Sequence, residues 1–140
     1  LFIAERASVG INAIHLERAP MESMRALKRG EIICILGDRD PTEQGIEVEF
    51  FGKPCRFPQG PARIALTSGA PLIPAFVLRR TNDSFTLVFK PAIPVPTSGT
   101  QDERVKELTQ RYARVIEDAI RWHPEEWSVF YRVWEETWKP

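Results

Sequence analysis

Long apolar runs are missing from this sequence. The longest, Ile32-Ile33-Cys34-Ile35-Leu36, holds five residues, far short of the roughly 20 that a membrane-spanning helix requires. A basic start followed by an apolar stretch, the mark of a secretory leader, is also lacking. Neither sign of charge is in excess: 19 Lys and Arg balance 19 Asp and Glu. No global field therefore gathers nucleic acid, and no nucleic-acid partner is expected. Cysteine and histidine are scarce, with two of each. Cys34 and Cys55 make neither a zinc pattern nor a disulfide framework, so two free thiols in a reducing compartment are expected. The chain starts Leu1-Phe2-Ile3-Ala4 without an initiator Met, which suggests a fragment whose upstream part would carry any anchor.

What is present is globular. Hydrophobic residues make up 43% and charged residues 27% of the 140 positions, enough to fill one domain or half of a larger one. Residues 20–30 read as a short helix with Met24 and Leu27 on one stripe and Gly30 as its stop. Residues 31–37 are apolar on both faces, the pattern of a parallel strand covered on two sides. Residues 46–51 open with the alternation of a half-exposed strand, and the prolines and glycines of 53–60 read as a loop. Pro61 and Gly69 bracket a second helix. Residues 71–80 and 84–90, joined by Thr81-Asn82-Asp83, read as a hairpin. Residues 91–99 are extended. From Gln101 to about Trp122, Val105, Leu108, Tyr112, Val115, Ile116 and Ala119 recur as one buried stripe, with Arg111, Arg114 and Glu117 outside. Pro124 ends it, and the tail carries Trp127, Phe130, Tyr131, Trp134 and Trp138.

The richest chemistry lies in Gly37-Asp38-Arg39-Asp40-Pro41-Thr42-Glu43-Gln44-Gly45. Asp38 sits just beyond an expected buried strand, where an α/β sheet places ligands. Such an acidic pair around an arginine can orient a base, bind a cation, or simply cap the following turn with Arg39 paired to a neighbouring acid. Phe50-Phe51-Gly52 sets two aromatics at a loop entrance. Alternation sends one inward and leaves the other for core or for an apolar wall. The turn at Gln59-Gly60-Pro61 leads into a helix start whose N–H groups suit an anion, although such turns are also ordinary joints. Neither His15 nor His123 has a recognisable nucleophile beside it. The tail aromatics suit either an interface with lipid or the closing of the domain edge.

Several segments together resemble bacterial lipid A late acyltransferases: Arg6-x-x-x-Gly10, 26–31, 38–52, 59–65, Gly69-Ala70-Pro71, Ile73-Pro74 and His123-Pro124-Glu125-Glu126-Trp127, with Arg132 and Trp134 beyond. The stretch from Arg39 to Gly52 is most similar to actinobacterial phosphatidylinositol mannoside acyltransferases. The resemblance implies an α/β fold with a mixed, mainly parallel sheet flanked by helices, of which residues 1–140 are the carboxy-terminal half. It implies transfer of a fatty acyl group from acyl-CoA or acyl carrier protein to a glycolipid hydroxyl at the cytoplasmic face of the bacterial inner membrane, with no cofactor. The family's catalytic pair, His followed five positions later by Asp or Glu, is not here: Pro20 follows His15 and Ser128 follows His123 at that spacing. The pair is expected upstream, which leaves this fragment inactive alone. Carried over by resemblance are Arg6 as an oxyanion or head-group contact and Asp38 as a polar orienting residue. Arg39, Asp40, Glu49, Phe50, Phe51 and Gly52 would bind or shape the groove. Two other classes remain open: a metal-dependent glycosyltransferase using the acidic motif, and a non-catalytic interaction module.

Overall fold

The computed structural model describes residues 2–40, 44–130 and 133–134. Pro41, Thr42 and Glu43 of the acidic turn lie outside the described residues, as do Tyr131, Arg132 and Trp138 of the tail. The chain divides into two compact units, Leu1–Cys34 and Ile35–Pro140.

The first unit is helical. Helix α1 (Phe2–Ser8) is followed by a 3-10 turn, Leu16–Arg18, and helix α2 (Ala19–Lys28). Pro20 suits the first turn of α2, where its missing N–H has no partner to lose. Gly30, at φ 78°, lies just past its end. Ser23 and Ala26 are the buried residues of α2.

The second unit mixes helix and sheet. Strands β1 (Ile46–Phe50) and β2 (Lys53–Phe57) pair antiparallel, as do β3 (Ala75–Arg79) and β4 (Phe85–Phe89). Helix α3 (Gly60–Ser68) separates the two hairpins, and helix α4 (Gln101–Trp122) follows them. Alternation turns Val48, Phe50, Cys55 and Phe57 inward, against Val105, Leu108, Tyr112 and Ala113 of α4 and Ala62 and Ala65 of α3. A capping box starts α4: Thr100 accepts from the Glu103 N–H while the Glu103 carboxylate accepts from the Thr100 N–H. The proline-rich 91–99 segment, poor in N–H donors, is held through its carbonyls, Pro96 by Arg104 Nε at 2.9 Å and Pro94 by Arg111 at 2.7 Å.

Three expectations change. Residues 53–57 form a strand, not a loop. Phe51 (φ 52°) and Gly52 (φ 74°) make a two-residue turn with both dihedrals positive, the geometry that matches strand twist. Pro54 stands opposite Glu49, one pair beyond the turn, where the missing N–H points away from β1 and no ladder bond is lost. Next, residues 31–37 are not a strand. Ile32 and Leu36 are 88% and 78% exposed, and both described sheets are antiparallel. A run apolar on both faces needs strands beside it and layers above and below, and no described strand pairs with it. Third, Glu117 is not an outward residue: its side chain is 13% exposed and its carboxylate accepts the Phe51 N–H at 2.9 Å. Gln110, two turns earlier, bonds both the N–H and the C=O of Glu49 at 2.8 Å. These two side chains close the outer edge of β1 as a neighbouring strand would.

Candidate functional site

Asp38 follows the apolar 32–36 run and is half-buried. The indole N–H of Trp127 donates to its Oδ2 at 3.3 Å. Trp127 closes the 3-10 turn Pro124–Glu126, which follows α4 directly. Its ring meets Phe50 edge-on at 5.8 Å. Glu126, one residue earlier, accepts the Arg79 N–H of β3 at 2.7 Å. The two segments that carry much of the family resemblance, around Asp38 and around Trp127, are thus in contact across 89 positions.

Asp40, also half-buried, accepts the Gly45 N–H. Gly45 is required by close approach: a Cβ there would stand 2.5 Å from Asp40 Oδ2 and 2.6 Å from the Phe57 carbonyl oxygen. Beneath this turn lies Tyr112. A Cβ on Gly37 would meet its ring at 3.7 Å, and its hydroxyl donates to the Pro58 carbonyl. Burial first, then the negative charges of Asp40 and Asp38, hold the Tyr112 phenol far above its ordinary pKa. It is a neutral donor at any physiological pH. The second unit therefore gathers two carboxylates, an indole N–H and a buried phenol over the start of the β1–β2 hairpin.

The other expected residues are distributed as follows. Arg6 is exposed on α1 and belongs to the first unit, whereas Asp38 belongs to the second. Arg39 is exposed beside Asp38. Glu49 points its side chain to solvent. Phe50 is 0% exposed at the centre of the core, while Phe51 is half-buried at the turn, as the single inward aromatic expected from alternation requires. Phe51 is not an open wall, however. It packs edge-on against Phe50 at 4.8 Å and Trp134 at 6.2 Å, and the Arg121 guanidinium lies 5.3 Å from its ring. Gly52 is exposed at the turn. His15 is exposed, and His123 caps α4 with Nδ1 3.3 Å from Glu125. At the start of α3, Gln59 bonds the Gln44 carbonyl and Arg63, and Arg63 pairs with Asp102. Trp127 and Trp134 close the core edge, whereas Phe130 is 93% exposed. No helix among the described residues is long and apolar enough to cross a membrane.

Sequence reasoning missed Trp127 as the partner of Asp38, and Gln110 and Glu117 as edge-closing groups. The latter left a faint signal, two polar residues seven apart on the margin of the α4 stripe. Tyr112 was legible as core, and a buried phenol requires an acceptor.

Residues 1–136 match the family described as bacterial lipid A biosynthesis acyltransferase. Over 137 residues, 95% of the chain, it is 34% identical to the phosphatidylinositol mannoside acyltransferase of Mycobacterium tuberculosis (strain ATCC 25618 / H37Rv), covering 42% of that protein. Against the protein of the same name from Mycolicibacterium smegmatis it is 30% identical, over 95% of the chain and 43% of that protein. The chain spans less than half the length of these relatives. With the match running through α1, the acidic turn and the segment ending at Trp127, the chain belongs to the bacterial lipid A biosynthesis acyltransferase family.

Proposed function

We propose that residues 1–140 are the carboxy-terminal half of a single acyltransferase domain. The complete enzyme moves a fatty acyl group from acyl-CoA or acyl carrier protein to a hydroxyl of a glycolipid at the cytoplasmic face of the inner membrane. A phosphatidylinositol mannoside is the acceptor suggested by the names of the relatives. A histidine outside this chain, held by a carboxylate, takes the proton of the acceptor hydroxyl. The oxygen attacks the thioester carbonyl, an oxyanion forms, and the thiol leaves with the proton. In this reading Asp38 is the polar group that this half contributes to the site. Arg6 meets the oxyanion or a head group, and Arg39, Asp40, Glu49 and Gly52 line or shape the groove, with Phe50 and Phe51 packed behind it. The exposed 32–36 run becomes a strand of a mainly parallel sheet once its neighbours are present.

One observation carries the reading: Asp38 is held half-buried by Trp127, at the junction of two segments shared with an acyltransferase family, rather than spread into solvent as a turn cap. The experiment is Asp38→Ala in the complete enzyme, assayed for acyl transfer with and without EDTA. Turnover should fall at least about a hundredfold while the fold persists, as when an active-site polar group is removed, and EDTA should have no effect. Unchanged transfer removes Asp38 from the site. Loss of activity in EDTA replaces acyl transfer by a histidine–carboxylate pair with a metal-dependent reaction.

A further inference from the structure

The indole of Trp127 combines features that a packing residue does not need. Its N–H reaches Asp38 Oδ2 at 3.3 Å, and its ring is braced edge-on against the fully buried Phe50 at 5.8 Å and 73°. The backbone that leads into it is pinned at two points. His123 N–H bonds the Ala119 carbonyl at 3.0 Å, and the Glu126 carboxylate takes the Arg79 N–H at 2.7 Å. A short turn fixed to α4, to β3 and to the core thus delivers one neutral donor to a half-buried carboxylate.

We infer that Trp127 is a positioning residue for Asp38: it fixes the plane of the carboxylate without adding counter-charge. An indole N–H donates to a carboxylate and brings no positive charge of its own. A lysine or arginine in the same place would orient Asp38 and also quench its charge. The bond to Oδ2 helps to set the orientation of the carboxylate, and misplacement by about 1 Å costs a site much of its rate. This inference rests on the reading of Asp38 given above.

The test is Trp127→Phe in the complete enzyme, which keeps an aromatic ring against Phe50 and removes the N–H. Turnover should fall about tenfold, the loss expected when one charge-assisted bond made in the transition state goes. KM for donor and acceptor should stay within about twofold. In the Asp38→Ala background the same change should have no further effect, because its influence passes through Asp38. Unchanged kcat in Trp127→Phe, with Asp38→Ala inactive, overturns the inference and leaves the proposed function standing. A tenfold loss that persists in the Asp38→Ala background also overturns it, since Trp127 then acts elsewhere. Full activity of Asp38→Ala sinks the reading of Asp38 itself. Should Trp127→Phe fail to fold, benzothienylalanine at position 127 serves instead, keeping the bicyclic shape and lacking only the N–H.

Discussion

Replacing Tyr112 by Phe should weaken the protein at neutral pH and spare it at high pH. The hydroxyl donates to the Pro58 carbonyl, and its removal leaves that acceptor short of a partner inside the second unit. The expected cost is about 1–2 kcal/mol near neutrality. The phenol titrates in the unfolded chain near its ordinary value of 10.0. In the fold, burial and then the carboxylates of Asp40 and Asp38 push it well above that. Above pH ~10 the unfolded chain releases this proton and the native state retains it. The native state then binds more protons, so stability falls as pH rises, by roughly 1.4 kcal/mol for each further pH unit. The contribution is complete below that point and is lost above it. Tyr112→Phe lacks the group, so its disadvantage should shrink by about 1.4 kcal/mol near pH 11 and the two stabilities should converge. Lysines and the other tyrosine titrate alike in both proteins and drop out of the difference. Urea unfolding followed by circular dichroism, from about pH 8 to 11, measures it. A gap that stays constant over that range would falsify the placement of the phenol beneath the acidic turn.

Two further outcomes test the frame around the site. Gly45→Ala should cost about 2 kcal/mol or more, because its Cβ would meet the Phe57 backbone oxygen at 2.6 Å and the Asp40 carboxylate at 2.5 Å; a urea midpoint equal to the parent's would mean neither neighbour is held in place. Gln110→Leu strips the partners from the Glu49 N–H and C=O where water can partly replace them, so the expected loss is about 1 kcal/mol. The Glu49 amide should then exchange with deuterium distinctly faster, and unaltered exchange at that amide would refute the closing of the β1 edge by α4.

Local patterns reached most of the helices and strands. The α4 stripe, the Pro61 and Gly69 brackets of α3 and the alternation of β1 are each stated within one element, so they were legible. Strand β2 was hidden for a physical reason. Pro54 reads as a breaker unless its partner is known, and only the register opposite Glu49 makes it harmless. Phe51-Gly52 also disguised the turn, since a bulky residue at positive φ costs about 1–2 kcal/mol and is not what a tight hairpin advertises. Residues 31–37 show the opposite error, an apolar run that is a strand only when neighbours exist. In the site, Asp38 was visible as an acid after an apolar run. Its bond to Trp127 was not, because no periodicity links residues 89 apart; only the three-dimensional arrangement does.

The bonds from α4 to the outer edge of β1 span 61 and 66 positions, and this distance orders events during synthesis. The β1–β2 hairpin can zip up from local contacts soon after residue 57 emerges. Its free edge must then wait for Gln110 and Glu117, some fifty to sixty residues later. During that interval the nascent chain displays an open strand beside unburied Phe50 and Phe57, a template for pairing with other chains. Contacts so remote in sequence also slow the last step of folding, since loop closure precedes any stabilisation they bring. The arrival of α4 is therefore the moment at which this edge of β1 is closed.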